Sequence, residues 1–169
     1  MSAKNKDVCL KAIIIAVAII LLGFMDAVVL EKIYKPIAEK FGISFSEFIM
    51  PGFFGSLGML WWHFAFFIGG GILFLLLSLS LKDWRVLPSG ILLFFTGWED
   101  IAYYAVMLQR VPEQLAWLDA NPLVAWPRYI LGTEHLTNIG LAISAIVGLG
   151  AVLLIFNYKK IIRKYFKEE

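Results

Sequence analysis

The sequence predicts an all-α integral membrane protein, a four-helix bundle made of two related helical hairpins. Composition is the first observation: 60% of the 169 residues are hydrophobic and 17% charged, with a mean hydropathy of +0.80. A soluble domain carries about 45–50% apolar and about 25% charged residues. The other two observations are four long apolar segments and a short motif that recurs at a fixed offset. We treat residues 1–169 as a single transmembrane domain.

Each apolar segment is long enough to cross roughly 30 Å of hydrocarbon, which takes about 20 helical residues. The predicted spans are 12–30, 57–81, 86–108 and 129–158. Pro88 lies in the first turn of the third span, where a missing N–H group is tolerated. A signal peptide is the alternative for the first span. It is disfavoured because Asp26 and Glu31 lie where a small-residue cleavage site would fall.

The basic residues predict the orientation. Ten Lys and Arg residues flank the side that holds both termini and the short second loop, whereas five lie in the first and third loops. Because cytoplasmic flanks are enriched in Lys and Arg, both termini of this multi-pass protein are expected in the cytoplasm and the spans in the cell membrane. Short helices are expected to lie in the interface within the two outer loops, near 33–41 and 113–120.

Six ionisable side chains share one layer of the predicted bundle, roughly 7–13 Å below the outer boundary at 1.5 Å per residue. They are Asp26, His63, Glu99, Asp100, Glu134 and His135. The inner halves of the predicted spans carry no ionisable residue. Each such side chain raises the free energy of membrane insertion by about 2.5–3.5 kcal/mol if it faces lipid. Most of the six are therefore expected to face the interior of the bundle and to compensate one another.

An internal repeat connects these residues. Gly23-Phe24-Met25-Asp26 matches Gly97-Trp98-Glu99-Asp100 at an offset of 74 positions. The repeats would cover 12–81 and 86–158, and each would contribute one Asp and one His. Two hairpins related in this way would surround a pseudo-twofold axis along the membrane normal.

A transition-metal site is the leading functional hypothesis, because imidazole and carboxylate groups on facing helices are typical ligands in helical bundles. The expected ligands are Asp26, His63, Asp100 and His135. Zinc, iron and copper are not distinguished by these residues. The protein would be a metalloenzyme or a metal-handling subunit. In an enzyme, Glu99 or Glu134 would be the catalytic base.

Three alternatives use the same residues. His63 and His135 could be the axial ligands of a b-type haem. The buried acids and imidazoles could belong to a small proton- or ion-coupled transporter, or they could be a structural hydrogen-bond network. The lipid bilayer is the expected partner, and a homo-oligomer or a larger membrane complex is left open. Nucleic acid is not expected, because the basic residues flank apolar runs and form no single patch.

Residues 23–31, Gly-Phe-Met-Asp-Ala-Val-Val-Leu-Glu, resemble the motif Gly-Phe-x-Asp-Gly-Ile-Val-Leu-His of small four-helix bacterial membrane proteins of unassigned function. Glu31 stands where that family has His. The layout is also similar to the copper-binding C subunit of membrane methane and ammonia monooxygenases, in which Asp-x-x-x-His on one helix joins a His on the next. Leu30 and Tyr104 stand at the middle His position. This second resemblance implies a bound metal.

Overall fold

The computed structural model of the chain describes the backbone of residues 3–42 and 61–165 and the side chains of residues 7–42 and 65–158. The regular elements of these two ranges are all helical, as predicted. Two helices are long and apolar enough to span a membrane, Asp7–Phe41 and Asn138–Tyr158, and a shorter apolar helix covers Ala65–Ser80. The start of the predicted second span, 57–60, lies outside the described residues.

The first helix is longer than the predicted span and contains one irregular turn. Helix α1, Ala3–Val28, continues through a π-helical segment, Val29–Tyr34, into α2, Lys35–Phe41. The Lys35 N–H donates to Leu30 O, five residues earlier. Pro36 explains the wide turn, because it lacks an N–H and its ring clashes with the carbonyl group four residues before it. The helix expected near 33–41 therefore extends the first helix.

A tight turn at the predicted inner side joins α3, Trp61–Ser80, to α4, Val86–Leu93. Asp83 organises this turn. Its carboxylate accepts hydrogen bonds from Lys11 Nζ at 2.9 Å and from Arg85 Nε at 2.8 Å, and Arg85 also donates to Phe156 O at 2.9 Å. The Arg85 guanidinium, together with Lys11, outweighs burial and holds the pKa of Asp83 well below its usual range. Asp83 and Arg85 thus connect α1 and the helix that carries Phe156 with the turn between α3 and α4.

The third apolar segment, predicted as one span over 86–108, is interrupted near its middle. After α4 follow a π-helical segment, Phe94–Trp98, and α5, Glu99–Val106. Thr96 and Gly97 have non-helical dihedral angles, and Gly97 has a φ of +91°, which glycine adopts without a steric penalty. Glu99 and Asp100 consequently lie in the first turn of a new helix.

The last helix begins later than predicted, which corrects the span proposed for 129–158. The short helices α6, Pro122–Ala125, and α7, Pro127–Leu131, precede α8, Asn138–Tyr165. Helix α7 ends at Gly132, which has a left-handed φ of +66°. Thr137 then caps α8, since its Oγ1 accepts a hydrogen bond from the Gly140 N–H at 3.1 Å. Glu134 and His135 therefore lie in the loop before the helix.

The third loop packs onto the helices. A second apolar core consists of buried side chains from this loop and from the start of α8: Leu115, Val124, Leu136 and Leu141. Partly buried side chains of α5 pack against this core. Asn121 Nδ2 donates to Phe95 O at 3.2 Å, inside the interrupted segment, and Ser144 Oγ donates to Leu123 O at 3.0 Å. A single 3₁₀ turn, Ala116–Leu118, occupies the position where a short interfacial helix was expected.

Candidate functional site

A close contact between α1 and α5 brings several of the predicted site residues near one another. A Cβ atom added at Gly23 of α1 would lie 2.8 Å from Ala102 Cβ and 3.0 Å from Glu99 O, both on α5. Asp26 lies one helical turn beyond Gly23 and is buried. From this position Asp26 acts electrostatically on both Glu99 and Asp100. We refer to Asp26, Glu99 and Asp100 as the acidic cluster.

Glu99 carries an unsatisfied acceptor at this cluster. Its Oε1 atom is buried and has no hydrogen-bond partner within the described part of the chain. A buried polar atom without a partner costs free energy of about 1–3 kcal/mol, and more when it is charged. The first turn of α5 offsets part of this cost, because the positive end of the helix dipole stabilises carboxylates there. The remainder must be balanced by a proton or by a bound cation.

A second polar group lies about one turn farther along α1 and α5. Glu31 Oε1 accepts hydrogen bonds from Tyr103 OH at 2.9 Å and from Lys35 Nζ at 2.5 Å. Tyr103 follows Asp100 by three residues on α5, so the two side chains lie on the same face of that helix. Glu31 comes from the π-helical segment that follows α1. A hydrogen-bonded Tyr103–Glu31–Lys35 chain therefore lies beside the acidic cluster.

His135 has a different environment from the one expected. Its Nδ1 lies 2.8 Å from Asp119 Oδ2, and the same carboxylate forms an ion pair with Arg128 at 3.1 Å. Asp119 Oδ1 also accepts the Leu136 N–H at 2.8 Å. Burial raises the pKa of Asp119, but the hydrogen bonds from His135 and Leu136 and the Arg128 charge outweigh it, so the net shift is downward. His135 thus serves to fix the third loop.

The predicted ligands are brought together only in part. Among the residues whose side chains are described, no three His, Cys, Asp or Glu are grouped as metal ligands, so neither His135 nor Glu99 joins Asp26 and Asp100 in such a set as the side chains are placed. Glu134, expected as a base, is exposed in the loop before α8. The backbone of His63 belongs to α3, but its side chain lies outside the described residues.

Sequence reasoning missed Asp119 and the break at Thr96-Gly97. Asp119 lies in the third loop, for which a short helix in the membrane interface was expected. Its role in fixing the loop depends on His135, 16 positions farther along the chain. The local sequence did indicate the break, because glycine is unfavourable inside a helix and the preceding threonine is a weak helix former. The Thr96 side chain fills the space at Gly148, where an added Cβ would lie 2.1 Å from Thr96 Oγ1.

The acidic cluster holds three carboxyl groups from two helices. Carboxylate oxygens bind divalent cations, and addition of one imidazole favours zinc, iron or manganese over calcium or magnesium. Carboxyl groups shielded from water can also hold protons. No protein-family model, curated protein sequence or solved structure matches the chain.

Proposed function

We propose that the chain is a multi-pass protein of the cell membrane with four spans, two related hairpins and cytoplasmic termini. The two membrane-length helices support spans one and four. The shorter apolar helix and the interrupted segment 86–106 account for the other two. The exposed apolar side chains along the first and last helices provide a surface for lipid, for example Ile13, Val17, Ile20, Ile146 and Leu153. The electrostatic interaction between Asp26 and its repeat partner Asp100 is consistent with a pseudo-twofold axis between the hairpins.

The acidic cluster belongs to the outer half of this membrane protein. Lys11 contacts Asp83 at the inner turn, and Asp26 follows Lys11 by 15 positions on the same helix. At 1.5 Å per residue, Asp26 lies roughly 22 Å from the inner boundary and so roughly 8 Å below the outer one. A site at this depth is reached from the outer face.

Within this membrane protein, the function that we propose is binding of a divalent transition-metal ion at the acidic cluster. Asp26, Glu99 and Asp100 would supply oxygen ligands, and His63, on the neighbouring helix α3, would complete the set. The observation that carries the proposal is the buried Glu99 Oε1 without a hydrogen-bond partner within the described chain. A divalent cation would compensate the negative charges of the neighbouring carboxylates, and it would also bind this Oε1 atom.

The chain's own groups have distinct parts in such a site. Asp26 and Asp100, from two helices, would clamp the ion between α1 and α5. Glu99, beside them, would bind the ion through the Oε1 atom that lacks a hydrogen-bond partner in the described chain. Glu134 has no part in this proposal, because it is exposed in the third loop.

Elemental analysis of the purified protein tests the proposal. We expect one divalent metal ion per chain in the wild type and its loss in Asp26→Asn, Asp100→Asn and His63→Ala. His135→Ala is the matched control, since it removes an imidazole that Asp119 holds in the third loop, and it should retain the metal. Thermal melting in detergent verifies that each variant is folded.

Two results would overturn the proposal. One is a metal-free wild type after purification without chelators and addition of Zn²⁺, Fe²⁺ or Cu²⁺. The other is unchanged metal content in both Asp variants. An absorption spectrum of the same samples identifies the haem alternative by its Soret band, and proton-coupled flux in liposomes identifies the transport alternative.

A further inference from the structure

The outer end of the first helix carries a carboxylate with two different partners. Glu31 Oε1 is bound by the ammonium group of Lys35 at 2.5 Å and by the hydroxyl group of Tyr103 at 2.9 Å. Lys35 is four residues after Glu31 on the helix, whereas Tyr103 belongs to α5. Glu31 therefore connects a mobile surface cation with the helix that carries the acidic cluster.

The side chains along this chain differ in exposure. The Lys35 side chain is 58% exposed and that of Glu31 is 22% exposed, while Tyr103 is partly buried and Asp26 is buried. Glu31 accepts the hydrogen bond of the Tyr103 hydroxyl group, and Asp26 acts electrostatically on Tyr103. These interactions link the exposed Lys35 side chain with the acidic cluster.

The backbone at this point differs from a regular α-helix. The π-helical segment Val29–Tyr34 contains Glu31, and a π-helical turn offsets the side-chain register relative to an α-helix and often occurs at functional sites. Asp26 lies in the regular α-helix before this segment, whereas Glu31 lies within it. The irregular turn thus begins between the acidic cluster and Glu31 and continues past Glu31 to Tyr34.

We propose that Glu31 and Tyr103 form the access route by which a divalent cation reaches the acidic cluster from the outer face, with Lys35 as a built-in competitor. Glu31 takes up the arriving cation first, and Tyr103 separates this outer position from the cluster. The Lys35 ammonium group occupies Glu31 in the absence of a cation and must move aside. This inference rests on the proposed function, because it requires a cation site at the cluster.

Charge determines the expected rates. A carboxylate at the mouth of a low-dielectric path raises the local concentration of cations and their association rate, by 10- to 1,000-fold in favourable cases on the order-of-magnitude scale for steered association. Loss of the Glu31 charge should therefore slow association by about tenfold. Loss of the Lys35 charge should accelerate it by a similar factor and tighten binding, because the competitor is absent.

Stopped-flow absorption with Co²⁺ as the probe tests the route in metal-depleted, full-length protein in nanodiscs. Glu31→Gln should slow association by about tenfold and Lys35→Met should accelerate it by about tenfold. Tyr103→Phe keeps the ring and removes the hydroxyl group, so it should change the rate more than the amount of Co²⁺ bound at saturation. Lys40→Met is the matched control, since it removes a charge from the same helix without a contact to Glu31, and it should bind like the wild type.

The outcomes separate the access route from the site itself. If the wild type binds Co²⁺ at a site that Asp26→Asn abolishes, and all three route variants associate at the wild-type rate, the access route is refuted and the proposed function stands. If the wild type binds no Co²⁺, both proposals fall. Loss of Co²⁺ at saturation in Glu31→Gln, in a variant that melts like the wild type, would make Glu31 a ligand and would also refute the route.

Discussion

The contact at Gly23 gives the sharpest test of how the acidic cluster is assembled. In Gly23→Ala the new Cβ would lie 2.8 Å from Ala102 Cβ, 2.9 Å from Tyr103 N and 3.0 Å from Glu99 O. Carbon atoms pack at about 3.5–4.0 Å, so α1 and α5 must separate by roughly 0.7–1.2 Å. Two of these three neighbours are backbone atoms, and no side-chain rotation relieves the clash.

The expected cost follows from this separation. Overpacking of this kind costs about 1–3 kcal/mol, and the better helix propensity of Ala returns about 0.5–1 kcal/mol. From the midpoints of these two ranges, we expect Gly23→Ala to lower the free energy of unfolding by about 1 kcal/mol. Because Asp26 moves with α1, metal affinity at the cluster should fall as well.

The assay is reversible unfolding in mixed detergent micelles, combined with Co²⁺ titration. Gly150→Ala is the control, since the described chain has no heavy atom within 4 Å of a Cβ added at Gly150, and it should be neutral or slightly stabilising. Equal stability and equal Co²⁺ affinity in Gly23→Ala and the wild type would refute the packing of α1 on α5 described above.

Three further predictions concern the inner turn, the interrupted segment and the third loop. Asp83→Asn should destabilise the protein by about 3 kcal/mol, because Lys11 and Arg85 lose their carboxylate. Since the pKa of Asp83 is lowered in the fold, this stabilisation is present above about pH 4 and is lost as the pH falls further, so acid titration should destabilise the wild type more than the variant. Gly97→Ala should cost about 1–3 kcal/mol by thermal or chemical unfolding, because it combines a φ of +91° with a Cβ 2.2 Å from Leu141 Cδ1. Asp119→Ala should accelerate hydrogen exchange at the Leu136 amide while leaving the metal content unchanged; protection equal to the wild type would contradict the proposed fixing of the loop.

Much of the helical architecture could be predicted from short stretches of the sequence. Hydropathy predicted the helical character of the chain and two of its membrane-length helices, because burial of apolar side chains in lipid depends on composition over about 20 residues. The recurrence of Gly-x-x-Asp led to Asp26 and Asp100, which the structure brings close enough to interact. These features are properties of short segments, and they need no knowledge of the neighbours.

The positions of the helix ends and the partners of the polar groups were decided by contacts between remote segments. Gly97 interrupts a helix that hydropathy predicts to be continuous, and the site of the break is fixed where Thr96 packs against Gly148 and Asn121 binds Phe95 O. His135 was placed in the fourth helix because the apolar run begins before it, yet Gly132 and Thr137 move the helix start past it.

The sequence by itself determined an all-helical, strongly apolar chain and a small set of costly ionisable side chains, because both follow from composition and spacing. Only the tertiary structure decided which of these side chains meet. It assigns Asp26 to Glu99 and Asp100, Glu31 to Tyr103, and His135 to Asp119. The physical reason is that a carboxylate interacts over a few ångströms in space, whereas the groups with which it interacts are 16 to 74 positions apart in the chain.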